Sequence, residues 1–458
     1  MKFLSWFAGR LARLALLCLL LYPIQAGAAY MPTSNPARSK PSGAAAKVQP
    51  APPLDVYSPP PAVRAKAVRY SRLQNWLYFS ETAVALAIWA ALWLSGFGVW
   101  LHRLGTRVSS RLFIQCLIVA PILWAVAAAI IFPLDCYGGF FVDRRFGLST
   151  ERFGAWLGDW GKSLGLGALA AVIIAWVFYR IVRRSPRRWW LYFWLAVIPI
   201  AAFIMMIEPY VVEPLYYHFT PLAKTQPVLT NEIETMLLRA KIFIPESRIF
   251  EMNASSKTRE LNAYVSGWGS SKRVVIWDTT LRDLSSDETL AVLAHETGHY
   301  ALHHTAKIFA RVELVALAGI FIGYLVAGAM LRRWGGRTAV TGVADLASFP
   351  LMMLILTAGI FLASPAVCGI SRHYEHQADQ YGLELIYGIV HDPNAAMVGA
   401  FRVLGERDLS NPDPNSFIKF WLYTHPPIAD RIRFAAHYKP WAQGKPMELL
   451  HSAPSAPP

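Results

Sequence analysis

The residues with the clearest chemical potential form the sequence His295-Glu296-Thr297-Gly298-His299. On a helix, residues four positions apart share one face, so both imidazoles can bind a single Zn²⁺ ion. Glu296 follows the first histidine, where its carboxylate can take a proton from a zinc-activated water as general base. We therefore expect a zinc hydrolase site with one ion per chain, with His295 and His299 as ligands and Glu296 as the catalytic base.

A catalytic zinc site needs a third protein ligand and one open position. No histidine follows His299 at the spacing of six residues, so we expect this ligand from another helix. Segment 371–385 reads SRHYEHQADQYGLEL and places Glu375 and Asp379 four residues apart on one helical face. Glu375 can bind the metal, and Asp379 can hold a ligand imidazole. The other histidines of the two segments are rival ligands, His373 and His376, or residues that line the site, His303 and His304.

The elements that must position these residues can be outlined from residue patterns. Residues 230–242 have the pattern of an amphipathic helix, and residues 248–254, 261–267 and 272–278 that of short strands, with a Gly/Ser-rich hairpin turn between the last two. Ser285 is followed three residues later by Glu288, which is the signature of a capping box. The helix that carries both histidines is therefore expected to begin at Ser285.

Composition places this catalytic segment in a membrane protein. Hydrophobic residues make up 55% of the 458 residues and charged residues only 16%, which excludes an ordinary soluble enzyme and a disordered chain. A helix needs about 20 apolar residues to cross a bilayer. The sequence predicts six such spans, at 82–101, 112–134, 163–179, 189–207, 314–331 and 346–371. The fold class expected is therefore an α-helical polytopic membrane protein with a small α+β zincin-like catalytic domain.

Charge in the loops predicts an orientation. The net charge is +15, and the loops after the first, third and fifth spans contain eleven arginines and one acidic residue, Asp345. Positively charged short loops stay in the cytoplasm, so the catalytic segments are expected on the outer, periplasmic face of a bacterial-type inner membrane. The same placement puts Cys136 and Cys368 outside, where they either form a disulfide or remain free thiols. No basic face interleaved with aromatic residues occurs, so we do not expect nucleic-acid binding.

The N-terminus predicts the same orientation. Arg10 and Arg13 precede an apolar run from Leu14 to Tyr22, and Ala26-Gly27-Ala28 has the pattern of a cleavage site, which together indicate a signal peptide or an uncleaved anchor. The domains expected are a signal or anchor at 1–28, a Pro-rich linker at 29–70, a four-span membrane domain at 71–210, a zinc peptidase domain at 211–440 that includes spans 308–331 and 344–368, and a disordered tail at 441–458.

Several longer motifs resemble one family. HETGH, SRHYEHQAD and LNAYVSGWGSSKRVVIWDTTL are similar to the CAAX prenyl protease type 1 family of membrane zinc endopeptidases, of gluzincin type. FVDRRFGLST, EPLYYHFTPL and THPPIADRI extend the resemblance over roughly residues 70–435. The resemblance implies zinc ligands His295, His299 and Glu375, the base Glu296, and Asp379 as a supporting acid. It also implies that Asn262 and Ala263 bind substrate along a strand edge, and that His425 and Arg431 stabilise the tetrahedral oxyanion.

Three other functions are consistent with parts of this pattern. A quality-control protease for membrane or exported proteins would use the same site without a preference for CAAX sequences. A transporter would explain six spans but not the zinc motif, and it would require ionisable residues within the spans. An inactive zinc-binding scaffold would not need Glu296. We expect a peptide or protein substrate, for which lipidated and membrane-associated chains are both candidates, with the lipid bilayer as the second partner.

Overall fold

Long helices dominate the fold. The computed structural model describes residues 53–267 and 272–450. Six of its helices are long and apolar enough to cross a membrane: Pro61–Leu94, Leu112–Arg145, Phe153–Arg184, Trp189–Leu215, His304–Thr338 and Leu346–Ile386. The prediction of six spans is therefore confirmed, although five of the helices extend beyond their predicted apolar runs and the first ends within its run. The signal or anchor segment lies outside the described residues.

The first span differs most from its prediction, which ran from 82 to 101. Helix α1 (Pro61–Leu94) ends before Gly96, whose φ of 73° lies in the left-handed region that glycine adopts without steric cost. Helix α2 (Phe97–Val108) then begins in a new direction, with Leu101 buried and Arg103 exposed. Residues 97–101 thus belong to a separate amphipathic helix, because hydropathy alone does not detect a break at a single glycine.

The predicted Pro-rich linker also ends earlier than residue 70. Residues 61–70 form the first turns of α1, and Pro61 occupies the helix start, where a missing N–H costs no hydrogen bond. Before the helix, the guanidinium of Arg402 donates to the carbonyl oxygens of Pro53, Leu54 and Val56. The chain that leads into the first span is therefore bound to the surface of the catalytic domain.

The tail was expected to be disordered from residue 441, but its residues 448–450 are bound to the catalytic domain. Glu384 is fully buried and accepts hydrogen bonds from the backbone N–H groups of Glu448, Leu449 and Leu450. Leu450 itself is buried against the core of the catalytic domain. A buried carboxylate requires hydrogen-bond donors, and here the backbone of the tail supplies them. These hydrogen bonds hold in place a segment whose composition alone suggested disorder.

The remaining helices lie along the whole chain, whereas the strands are confined to residues 219–277. The membrane helices after α2 are α3 (Leu112–Cys136), α4 (Phe153–Arg184) and α5 (Trp189–Ile207). The catalytic region contains α6 (Pro227–Arg239), α7 (Asp278–Asp283), α8 (Ser286–Ala301), α9 (His304–Thr338), α10 (Phe349–Ile386), α11 (Pro393–Arg407), α12 (Ser416–Leu422) and α13 (Ile428–His437). The short strands are β1 (Phe219–Pro221), β2 (Ile249–Met252), β3 (Ala263–Ser266) and β4 (Arg273–Trp277).

These strands form one mixed sheet in the order β1-β2-β4-β3. Strand β2 runs parallel to β4, whereas β1 pairs antiparallel with β2 and β3 antiparallel with β4, with Ala263 opposite Ile276. Three of the strands coincide with the predicted ones, and β1 was not predicted because its three residues are too few for a pattern. Strand β3 lies at an edge of the sheet, next to helix α8.

A buried ion pair connects the sheet to the membrane domain. Glu213 lies at the end of the fourth span and accepts hydrogen bonds from Tyr264 of β3 and Arg273 of β4, both at 2.6 Å. Because buried charges require a partner, this contact fixes the sheet relative to the spans. The thiols of Cys136 and Cys368 are free, so the disulfide considered from the sequence does not form.

Candidate metal centre and active site

Helix α8 carries the two motif histidines and begins where the sequence predicts. The Ser285 side chain accepts from the Glu288 N–H, and the Glu288 carboxylate accepts from the Ser285 N–H, which completes the capping box. The helix ends before His303, whose φ of 55° allows α9 to begin in another direction. The sequence assigned His303 to the lining of the site, but its backbone forms the corner between the motif helix and the fifth span.

Two glycines allow helices α8 and α10 to approach closely. A Cβ atom at Gly382 would lie 2.9 Å from the amide nitrogen of His295, and one at Gly298 would lie 3.1 Å from Tyr381. Real Cβ atoms do not approach backbone atoms at the shorter distance, so glycine is required at position 382. This close packing brings the carboxylate of Glu375 within reach of the motif histidines.

The three predicted metal ligands meet in a buried cluster. His295 Nε2 and His299 Nε2 are 3.2 Å apart, and the Glu375 carboxylate oxygens lie 3.3 Å from His295 Nε2 and 3.5 Å from His299 Nε2. One ligand atom from each residue lies within 4.8 Å of the others. Two imidazoles and one carboxylate are a donor set of catalytic zinc sites, and the residues present therefore fit this metal.

Glu296 lies beside this cluster. Burial raises the pKa of Glu296, while the neighbouring imidazoles of His295 and His299 act in the opposite direction. Among the described residues, none forms a hydrogen bond with the buried oxygen Oε2 of Glu296. A buried carboxylate oxygen without a protein partner can accept a proton from a water molecule at the site.

Asp379 and Arg431 form a chain of contacts behind His295. The Asp379 carboxylate lies 2.8 Å from His295 Nδ1 and accepts from Arg431 through Nε at 2.9 Å and Nη2 at 2.6 Å. Burial opposes a charge on His295, but the hydrogen bonds to Asp379 and Glu375 outweigh this effect and raise the pKa of His295 to about 9. The Asp379 contact favours a proton on Nδ1, which leaves the Nε2 lone pair for a metal.

His425 lies on the open side of Glu375. Its Nε2 is 2.9 Å from a Glu375 oxygen, and its Nδ1 is 3.1 Å from the Thr424 hydroxyl. The imidazole is partly exposed, so it can contact a bound substrate. Arg431 was expected to share an oxyanion role with His425, but its guanidinium contacts Asp379 and His295 and stacks on Phe401 at 4.1 Å.

Sequence reasoning missed the partner of the second motif histidine. His304 is fully buried, with Nδ1 3.2 Å from His299 Nδ1 and Nε2 3.1 Å from the Gln377 side-chain oxygen. If Nε2 donates to Gln377, Nδ1 accepts from His299, and the Nε2 lone pair of His299 is free for a metal. Residues five apart do not share a face of one helix, so the spacing of His299 and His304 did not indicate a contact. The contact arises because the chain changes direction at His303, between the two helices.

The rival ligands do not join the cluster. His376 is exposed and packs on Phe434 at 4.4 Å between ring centroids. His373 is also exposed and lies 3.4 Å from the Gln377 amide. Neither belongs to the group of residues whose ligand atoms converge.

The expected substrate strand borders the same helix. The backbone oxygen of Asn262 accepts from the Trp277 N–H and the Thr280 hydroxyl, which fixes the start of β3. The side-chain Nδ2 of Asn262 is buried and has no hydrogen-bond partner among the described residues. Ala263 is buried in the first pair of the β3–β4 ladder. Among the described strands, β3 pairs with β4 on one side and with no strand on the other.

Comparisons with known proteins cover most of the chain. The profile of peptidase family M48 matches residues 223–439, and that of the CAAX prenyl protease N-terminal domain, described as having five membrane helices, matches residues 52–218. Within the latter range, the described residues form four spans and the amphipathic helix α2. The two matches divide the chain into a membrane part and a catalytic part.

Individual relatives extend over both parts. The Bacillus subtilis protein "Uncharacterized metalloprotease YhfN" is 32% identical over 82% of this chain and 86% of its own length. The CAAX prenyl protease 1 homolog of Arabidopsis thaliana is 25% identical over 80% of this chain and 86% of its own length. The crystal structure of S. mikatae Ste24p superposes with a TM-score of 0.69 at 23% identity, over 83% of this chain and 92% of that one, and shows the same fold. The chain belongs to peptidase family M48 and is an integral membrane metalloprotease.

Proposed function

We propose that this protein is a zinc-dependent endopeptidase that hydrolyses peptide bonds in membrane-associated or exported proteins. The observation that carries the proposal is the donor set of His295, His299 and Glu375, which lies beside a Glu296 oxygen that has no hydrogen-bond partner in the described part of the chain. When bound there, Zn²⁺ supplies Lewis-acid polarisation of the scissile carbonyl and of water.

Each of the surrounding residues then has one task. Glu296 takes the proton of the attacking water and delivers it to the leaving amine, as a general base and then a general acid. His425 lies on the open side of Glu375, where an imidazole can donate to the developing oxyanion. An extended substrate adds to the free edge of β3 through main-chain hydrogen bonds, and Asn262 Nδ2 donates to a substrate carbonyl.

The contacts of Asp379 and Arg431 favour a different task from direct catalysis. Asp379 accepts from both His295 and Arg431, so both of its oxygens are occupied within the protein. We therefore assign Asp379 to the orientation of His295 and Arg431 to the orientation of Asp379. This assignment replaces the supporting-acid role of Asp379 and the oxyanion role of Arg431 that the resemblance implied.

The catalytic face is proposed to lie outside the cytoplasm. All eleven arginines of the three basic loops are exposed at the ends of α2, α4 and α9, together with the turns that follow. Residues 53–56 contact Arg402 of the catalytic domain, so a translocated N-terminal segment would lie on the same side as the site.

Several relatives are named CAAX prenyl proteases. Because prenylated substrates are made in the cytosol, a periplasmic site favours substrates without this lipid.

Labelling of single cysteines tests the sidedness. After replacement of the native cysteines, Ser270→Cys and Ser185→Cys would be treated on intact cells with a membrane-impermeant thiol reagent. We expect Ser270→Cys to be labelled and Ser185→Cys, which lies among the basic residues after α4, to be protected. The reverse pattern would place the site in the cytosol and favour CAAX proteins as substrates.

Peptide profiling tests the function itself. Native membranes that contain the wild-type protein or Glu296→Gln would be incubated, and the new peptide termini would be identified by mass spectrometry. We expect termini that require the wild-type protein and come from membrane or exported proteins. Identical termini in both samples would reject the proposed protease activity.

A further inference from the structure

The short helix α12 packs on two membrane spans rather than on the catalytic core. Phe417 stacks on Phe79 of α1 at 6.1 Å, and Trp421 packs on Phe361 of α10 at 4.9 Å. Phe79 and Phe361 also contact each other at 6.1 Å. The helix therefore covers the line along which the first and sixth spans meet.

The two phenylalanines on the spans mark the depth of this contact. At 1.5 Å per residue, Phe79 lies about 24 Å along α1 from Ser95, and Phe361 lies about 24 Å along α10 from Asp345. Both of these polar residues are near the basic loops that end the spans on one side. Because the hydrocarbon core is about 30 Å thick, α12 contacts the spans within the apolar layer.

The backbone of α12 is satisfied as an apolar environment requires. At the N-terminus, the Asn415 side chain accepts from the Phe417 N–H. At the C-terminus, Arg372 of α10 donates to the carbonyl oxygens of Lys419 and Tyr423, and the Cys368 thiol donates to that of Trp421 at 3.5 Å. Irregular or short elements persist at membrane depth only when their backbone groups have such partners.

Large apolar side chains of this region point away from the protein. Phe417 is 52% exposed and Phe420 54% exposed on α12, and Trp76 of α1 and Leu362 of α10 are each 68% exposed. Trp76 lies one helical turn before Phe79, and Leu362 follows Phe361 directly, so these exposed side chains adjoin the contact between α12 and the two spans. A surface of this kind that continues two membrane spans is suited to acyl chains rather than to water.

We propose that α12 is a membrane-embedded element whose outer face, Phe417 and Phe420, contacts the acyl chains of the bilayer. The helix ends three residues before His425, so the bilayer would hold the segment that presents this histidine to the metal centre. The proposal rests on the packing of α12 and does not depend on the protease activity.

A spin label at the outer face tests the proposal. Phe420→Cys, in a variant with serine at the native cysteines, would carry a nitroxide in vesicles of phosphatidylcholine and phosphatidylglycerol. We expect collisions with oxygen, which partitions into lipid, to exceed those with a water-soluble nickel chelate. Phe243→Cys is the matched control, because Phe243 is 75% exposed in the loop between α6 and β2 and should collide with the chelate.

Two results would overturn the proposal. Chelate accessibility at position 420 equal to that at position 243 would place α12 in water. Low accessibility to both reagents would mean that protein, such as a second copy of the chain, covers this face. Phe417→Cys would be labelled in parallel, so that a folding defect of one variant does not decide the outcome.

Discussion

Gly382 of α10 lies directly against the backbone of His295 on α8, so that a Cβ atom there would be 2.9 Å from the His295 amide nitrogen. The same glycine would bring its Cβ atom 3.0 Å from the Met397 methyl group of α11. The position of His295, the first candidate metal ligand, is therefore coupled to a glycine that has no chemical function. Catalytic geometry in this protein depends on how closely two helices can approach.

Gly382→Ala should lower both stability and zinc content. The added methyl group would displace α8 from α10 and lower the free energy of unfolding by roughly 1–3 kcal/mol. Gly359→Ala on the same helix is the control, because no atom lies within 4 Å of a Cβ there. Thermal unfolding in detergent and metal analysis would measure both effects. Equal behaviour of the two variants would contradict the close-packing argument.

Glu375→Ala should remove both the metal and the activity. The substitution deletes one of three ligands, whereas His376→Ala, one residue later on an exposed position, should retain zinc. Metal analysis after purification would measure the difference. Full zinc occupancy in the Glu375 variant would assign the third ligand to another residue.

Asp379→Asn should weaken zinc binding about 10–100-fold without abolishing it, because the substitution loosens the orientation of His295 rather than removing a ligand. Asp430→Asn is the control, since this exposed carboxylate pairs only with Arg433 among its described contacts. Competition with a chelator would measure the affinities. An unchanged affinity in Asp379→Asn would contradict the positioning role.

The sequence predicted the site better than the surroundings of the site. The convergence of His295, His299 and Glu375 could be predicted because metal chemistry restricts both the residue types and their helical spacing. The role of His304 was missed because it depends on a corner at His303 whose backbone angle has no sequence signal. Contacts that depend on the angle between two helices cannot be derived from periodicity within one helix.

The boundaries of the fold show the same limit. Six spans followed from apolar length, but the break at Gly96 did not, because one left-handed residue hardly changes the mean hydropathy. The C-terminal tail was expected to be disordered from its prolines. Its residues 448–450 are held in place because the buried Glu384 carboxylate accepts hydrogen bonds from their backbone N–H groups. Tertiary hydrogen bonds therefore determine the position of this segment, which local composition could not predict.

The most direct test of the account is the activity and the zinc content of Glu296→Gln in the same preparation. The amide keeps the shape of the side chain but cannot take a proton from water, so hydrolysis should fall about 10²–10⁴-fold. Bound zinc should remain near one ion per chain, because Glu296 is not part of the converging ligand group. Hydrolysis within tenfold of the wild type, with zinc still bound, would reject Glu296 as the catalytic base and with it the proposed mechanism.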